Sequence, residues 1–190
     1  ILEHYSAREP GFRVLGPTGM RAGGSGLVLR AGYVVAQWGD GGHPERVFSV
    51  AKSVLATIAG VAVADGRIGG IDDPVARDVP EPQFTGDHNG SITWRHLLEQ
   101  SSDWRGTPWE VPDWADRPTG TTLRDWQAQP RVTPGTVHEY NDVRVNLLAL
   151  TLLHVLRDPL PRVLRERIMD PIGASSTTGT SSGIRLRIST

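Results

Sequence analysis

The 190-residue sequence has no cysteine and a single lysine, Lys52, beside 19 arginines. Without cysteine there can be no disulfide, no thiolate metal site and no cysteine nucleophile, and the redox compartment and localisation stay open. Net charge is also lacking. Twenty basic side chains against 21 acidic ones leave a formal charge of −1, so no chain-wide field exists to hold nucleic acid or an anionic membrane. Nor is there a long apolar run. The most apolar stretch, around residues 50–64, is too short to span a bilayer and contains Lys52. The chain opens at Ile1 with no basic-then-apolar export signal, so a leader is expected to be absent or already missing.

What is there is the composition of an ordinary globular protein, 38% hydrophobic and 22% charged, with 22 Gly and 14 Pro. The scarcity of lysine has a chemical consequence. Arginine keeps its proton at any working pH, so Lys52 is the one aliphatic amine side chain that could act as a base.

Phe12 to Leu15 is a short strand candidate, and residues 27–30 and 33–38, split by Ala31-Gly32, predict a β-hairpin. Residues 50–64 carry apolar side chains on nearly every side, which predicts a helix buried all round and stopped at Asp65-Gly66. Thr93 is placed to cap a short helix carrying Leu97 and Leu98. A long stretch from Ser101 to Thr136 holds four of the six tryptophans and five prolines, with a short helix within 121–129. Helices over 142–157 and 160–170 end near Pro159 and Pro171. The tail beyond residue 174 is rich in Ser, Thr and Gly, and Ile184 to Ile188 alternates like a strand. The expected divisions are 1–66, with the hairpin and the apolar helix; 67–173, a helical region; and the tail, 174–190.

Ser49-Val50-Ala51-Lys52 stands where a loop enters the apolar helix. Three-residue spacing puts the serine at the helix N-terminus and the lysine one turn on, facing the same side. A serine hydroxyl becomes a nucleophile when a base is in reach, and an amine in an apolar site can lose enough basicity to be that base. The free N–H groups of the first helical turn would stabilise an oxyanion. The plainer alternative is a capping serine followed by a surface lysine. Tyr140, in Tyr140-Asn141-Asp142, begins the next long helix. A phenol beside a lysine can shuttle a proton, or the tyrosine can simply pack, with Asp142 as the cap. Trp104 and Trp109 could line an acyl pocket, or they could hold the long loop onto the helices. The six histidines have no metal-ligand spacing, and no metal or cofactor is expected. Arg162, Arg165 and Arg167 read as a solvated helix face. Gly23 to Gly26 precedes a strand and so lacks the setting of a phosphate loop.

These residues, in this order, resemble the serine β-lactamase and penicillin-binding protein superfamily, in particular its class C-like branch with family VIII carboxylesterases and DD-peptidases. Phe48-Ser49-Val50-Ala51-Lys52-Ser53 is similar to the nucleophile motif. Asp72-Asp73-Pro74-Val75 through Glu81 is similar to the segment that follows, and Ile92 to Ser102 resembles the ITIRHLLTHTSG stretch. Pro134-Gly135-Thr136, Tyr140-Asn141-Asp142 and Asp170-Pro171-Ile172-Gly173 fall in the matching order. The resemblance covers residues 24–174. It implies an α+β, β-lactamase/transpeptidase-like fold, with a small antiparallel sheet packed on the Ser49 helix and a cleft beside a helical region. Ser49 would be the acylated nucleophile, Lys52 the proton acceptor, Tyr140 its partner base and Asp142 a substrate-contacting position.

Two departures qualify the expected activity. Asp142 stands where the family usually has Asn; a carboxylate there would pair with Lys52, raise its pKa and repel the carboxylate of a β-lactam. Ester hydrolysis is therefore expected over lactam hydrolysis. The family's third motif, a Lys-Thr-Gly or His-x-Gly on a later strand, has no counterpart after residue 174, so the chain resembles a truncated form. A lost oxyanion donor costs about 2.7 to 4 kcal/mol of transition-state stabilisation. The leading expectation is a serine hydrolase taking a small-molecule ester or β-lactam-like substrate through an acyl-enzyme. Its rival is a weak or inactive relative that binds a ligand or partner, with an open sheet edge through which a second copy could pair. A third reading, an unrelated α+β binding module, makes Lys52 incidental.

Overall fold

The computed structural model describes residues 23–42, 48–110, 112–117 and 120–174. The expected strands Phe12 to Leu15 and Ile184 to Ile188 lie outside them. The chain divides into two compact units, 1–47 and 48–190. The Ser49 helix falls in the same unit as the helices that follow it.

In the first unit, β1 (Gly26–Arg30) pairs antiparallel with β2 (Tyr33–Trp38), with an irregularity in register between Val28 and Leu29. The turn lies at Ala31 and Gly32, both at positive φ (51° and 84°), as a two-residue hairpin of this hand requires. The strand side chains are exposed on both faces.

The second unit is helical. A short 3-10 turn, Phe48–Val50, leads into α1 (Ala51–Ala64). Then come α2 (Val75–Asp78), α3 (Gly86–Asn89), α4 (Trp94–Leu98), α5 (Leu123–Ala128), α6 (Asp142–Leu156) and α7 (Leu160–Leu164), the last continuing into a π turn, Arg165–Met169. The fold is α+β, as the sequence implied.

The expectation that α1 is buried all round needs correction. Leu55, Ile58, Ala59 and Ala62 are buried, a stripe at helical spacing, while Ser53, Ala56, Thr57 and Gly60 are exposed. The open face is built of small residues that lose little by meeting water, whereas burying Leu55 and Ile58 gains about 1.5 to 3 kcal/mol each. That stripe packs on α6, which buries ten of its fifteen residues and forms one core with Trp94, Trp104, Phe84 and the α7 side chains. Arg157 closes α6 in the left-handed conformation (φ 52°), and Pro159 prevents its continuation.

At the N-terminus of α4 Thr93 is the cap, as expected, and His96 completes a capping box: the His96 N–H donates to Thr93 Oγ1, and the Thr93 N–H donates to His96 Nδ1. Burial holds the His96 imidazole below its ordinary pKa, which suits a ring nitrogen that must accept. At α6 the cap is Asn141, whose side chain accepts from the Arg144 N–H, so Asp142 is the first residue of the helix and not its cap.

The segment from Ser101 to Thr136 is held by polar anchors. Trp104 is 1% exposed and its Nε1–H donates to the Gln83 carbonyl at 2.8 Å. Trp126 donates to Asp113 at 2.9 Å. Arg105 donates to the carbonyls of Gln129 and Pro130.

Candidate active site

Ser49 is the middle residue of the 3-10 turn, directly after Phe48, whose φ of 44° is left-handed. Such a conformation costs a residue with a Cβ about 1 to 2 kcal/mol. This bend presents an exposed Ser49 at the entrance to α1. One turn later Lys52 reaches back, and its Nζ donates to Ser49 Oγ at 3.1 Å. The phenol of Tyr140, 91 positions away in sequence, lies 2.7 Å from the same Oγ. Lys52 Nζ also stands 4.6 Å from the centre of the Tyr140 ring. Lysine and tyrosine are therefore both within hydrogen-bond reach of the one serine oxygen.

Tyr140 is positioned from both sides by a residue the sequence analysis did not single out. The Glu139 N–H donates to the Gln100 carbonyl at 2.9 Å, and the Asn141 N–H donates to Gln100 Oε1 at 2.9 Å. Gln100 holds this position in the left-handed region, φ 52°. Upstream, Gly135 turns at φ 88°, where a Cβ would stand 2.8 Å from His96 Nε2. A side chain at 135 would thus disturb the approach to Tyr140.

The electrostatics differ from the expected neutral lysine. Asp142 Oδ1 lies 2.6 Å from Lys52 Nζ. That oxygen is buried and has no aligned hydrogen-bond donor, so the contact is an ion pair. Burial pulls the Lys52 amine down, but the Asp142 carboxylate and the Tyr140 oxygen together outweigh it, and the pKa ends above the ordinary 10.5. The ion pair thus favours the ammonium form of Lys52 over the neutral amine that a proton acceptor needs. The opposing inference, that a carboxylate at 142 pairs with Lys52, holds.

A second carboxylate backs the first. Asp116 Oδ2 accepts the Asp142 N–H. Burial raises the Asp116 pKa and the neighbouring Asp142 charge adds to it, while the hydrogen bond from the Asp142 backbone and the charges of Lys52 and Arg144 oppose the rise. One helical turn into α6, the Arg144 side chain is 2% exposed. It donates to the Trp104 carbonyl at 3.0 Å and pairs with Asp103 at 3.3 Å and with Glu139. Asp116 gave no sequence signal, because its partner is 26 positions away.

Of the two tryptophans offered as pocket walls, Trp104 belongs to the core and has no open face for a substrate. The side chain of Trp109 lies outside the described residues. Among the described residues no three His, Asp or Glu side chains gather as a metal site.

Comparison with known proteins gives the chain's lineage. The family model described as Beta-lactamase matches residues 14–184. A curated beta-lactamase from Pseudomonas fluorescens is 26% identical over 133 residues, which are 70% of this chain and 36% of that protein. A D-alanine carboxypeptidase from Burkholderia cenocepacia superposes with a TM-score of 0.51 at 24% identity, covering 74% of this chain and 39% of its own. A class C beta-lactamase from Rhodobacter sphaeroides gives 0.51 at 21% identity, covering 77% and 43%. This chain spans less than half the length of each. A family match running from before the hairpin to beyond the last helix leaves one conclusion about descent: the chain belongs to the beta-lactamase family of hydrolases.

Proposed function

We propose that the chain carries the nucleophile centre of a serine hydrolase that acts through an acyl-enzyme and prefers carboxylic esters to β-lactams. The observation that carries this reading is Ser49 Oγ held between Tyr140 Oη at 2.7 Å and Lys52 Nζ at 3.1 Å. With Lys52 paired to Asp142, Tyr140 is the group on Ser49 that takes the hydroxyl proton. Ser49 Oγ bonds to the substrate carbonyl carbon, and the bond from that carbon to the leaving oxygen breaks. The proton held by Tyr140 passes to the leaving alkoxide. Water then adds to the acyl carbon, gives its proton to Tyr140, and Ser49 leaves carrying that proton back.

The preference for esters is argued from Asp142. Its carboxylate, one ammonium away from the nucleophile, disfavours a second carboxylate such as the one every penicillin carries.

The test is acylation. A fluorophosphonate is expected to add its mass to Ser49, p-nitrophenyl butyrate to be turned over faster than a penicillin, and Ser49→Ala to abolish both. An unmodified wild-type chain would overturn the reading. One observation favours the rival, a weak or silent relative that only binds: the chain covers 36% of its curated relative, so residues completing an oxyanion hole could lie elsewhere. A labelled Ser49 with no release of product is the outcome that would support that rival.

A further inference from the structure

The site holds a charge that its own chemistry does not require. An amine meant to take a proton from Ser49 is best left without a counter-ion, yet Asp142 sits on Lys52 at 2.6 Å. The distances from Lys52 Nζ to Ser49 Oγ and to Asp142 Oδ1 are 3.1 and 2.6 Å. The carboxylate oxygen therefore lies no further from the nucleophile than their sum. A group two or three bonds from a carbonyl attacked by Ser49 can reach it.

Carboxylates outnumber cations around this position. Near the N-terminus of α6, Asp103, Asp113, Asp116, Glu139 and Asp142 face Lys52, Arg144 and, through Asp103, Arg105. Arg144 is 2% exposed and engaged by Asp103 and Glu139, so it is not free to serve Asp142. Lys52, with 23% of its side chain exposed against 2% for Arg144, is the cation open to solvent.

We infer that Asp142 is a specificity residue that receives a cationic nitrogen on the acyl part of the substrate, which takes the place of Lys52 as its counter-ion. This rests on the serine-hydrolase reading and narrows its substrate class to esters or amides of α- or β-amino acids with a free ammonium. Lys52, beside a second cation and without the full attraction of its carboxylate, then holds its proton less tightly. A neutral ester leaves the ion pair intact. The surplus negative charge draws cationic substrates toward the site.

The chain offers a direct readout, because Lys52 is its only lysine. Protein grown on lysine labelled with 13C at Cε gives one side-chain signal to follow against pH. The probe is propylguanidinium, which stays charged throughout the titration, and its control is N-propylurea, a neutral isostere, at matched ionic strength. Propylguanidinium is expected to lower the Lys52 pKa by at least about one unit, the lower end of what a neighbouring charge does. N-propylurea is expected to leave it unmoved. In Asp142→Asn the pKa should start lower and ignore both probes. A lysine unmoved by propylguanidinium in the wild type, or moved equally by N-propylurea, overturns the inference without any variant having to fold.

Kinetics supply a second arm. An α-amino p-nitrophenyl ester should be preferred at least about tenfold in kcat/KM over its N-acetyl form, equivalent to one pKa unit, and that ratio should fall toward one in Asp142→Asn. An equal preference in wild type and variant counts against Asp142. The two readings fail separately. Ser49 labelled by a fluorophosphonate with an unmoved lysine overturns the substrate class alone, whereas a responsive lysine with an unlabelled Ser49 overturns the hydrolase.

Discussion

Lys52 Nζ stands 2.6 Å from Asp142 Oδ1 and 3.1 Å from Ser49 Oγ, so one ammonium joins the nucleophile to a carboxylate on another helix. Because the Lys52 pKa is raised on folding, the ion pair contributes stability that is fully present below the ordinary lysine value of 10.5 and is lost as pH rises through the folded value. The urea midpoint of the wild type is therefore expected to fall more steeply above about pH 10 than that of Lys52→Met. Parallel profiles would mean that the pair contributes nothing to folding.

Asp116 works with the opposite sign. Burial, the largest influence on it, holds its carboxyl above the ordinary 3.8. A carboxyl raised in the folded state loses stability as pH climbs from the unfolded value through the folded one. Asp116→Asn keeps an oxygen to accept the Asp142 N–H and removes the buried charge. It should unfold at a higher urea concentration than the wild type near pH 7 and show no such advantage near pH 3. An advantage that is the same at both pH values would put the effect elsewhere.

These charges also mark where the sequence stops being informative. Ser49 and Lys52 are legible because one helical turn separates them, and Tyr140 because its motif falls in the family's order. Even the Lys52–Asp142 pairing follows from opposite charges at matching positions. The protonation state does not, because burial and the carboxylate act in opposite directions and only the distances decide between them. Gln100 and Asp116 are invisible for a different reason. Each acts through a hydrogen bond to a backbone N–H in the 141–142 segment, 41 and 26 positions away, and a backbone donor leaves no trace in the identity of the residue that carries it. The exposed half of α1 is not legible in the sequence because Ala56 and Gly60 count as apolar wherever they face.

Arg144 gives the largest stability effect. Its guanidinium, 2% exposed, satisfies Asp103, Glu139 and the Trp104 carbonyl. Arg144→Met would leave Asp103, itself 7% exposed, short of a partner, and removing one member of a buried pair costs about 3 to 5 kcal/mol. Chemical denaturation is expected to show a loss of that size. A loss under about 1 kcal/mol, the value of an exposed pair, would mean that water reaches Asp103.

Trp104 separates a packing role from a substrate role. It is 1% exposed, it lies in the core, and its Nε1–H donates to the Gln83 carbonyl at 2.8 Å. Trp104→Phe keeps an aromatic ring but removes that donor and leaves a small void, so stability should fall by about 1 to 3 kcal/mol. The Gln83 carbonyl retains the Asn89 side chain at 3.1 Å, which places the expected loss toward the lower end. Because the ring has no open face, the KM for a neutral p-nitrophenyl ester should stay within twofold of the wild type, roughly 0.4 kcal/mol on the scale where 1.36 kcal/mol is tenfold. A KM that rises severalfold while the denaturation midpoint holds would show that the indole meets substrate after all, and the core assignment of the loop would have to be redrawn around it.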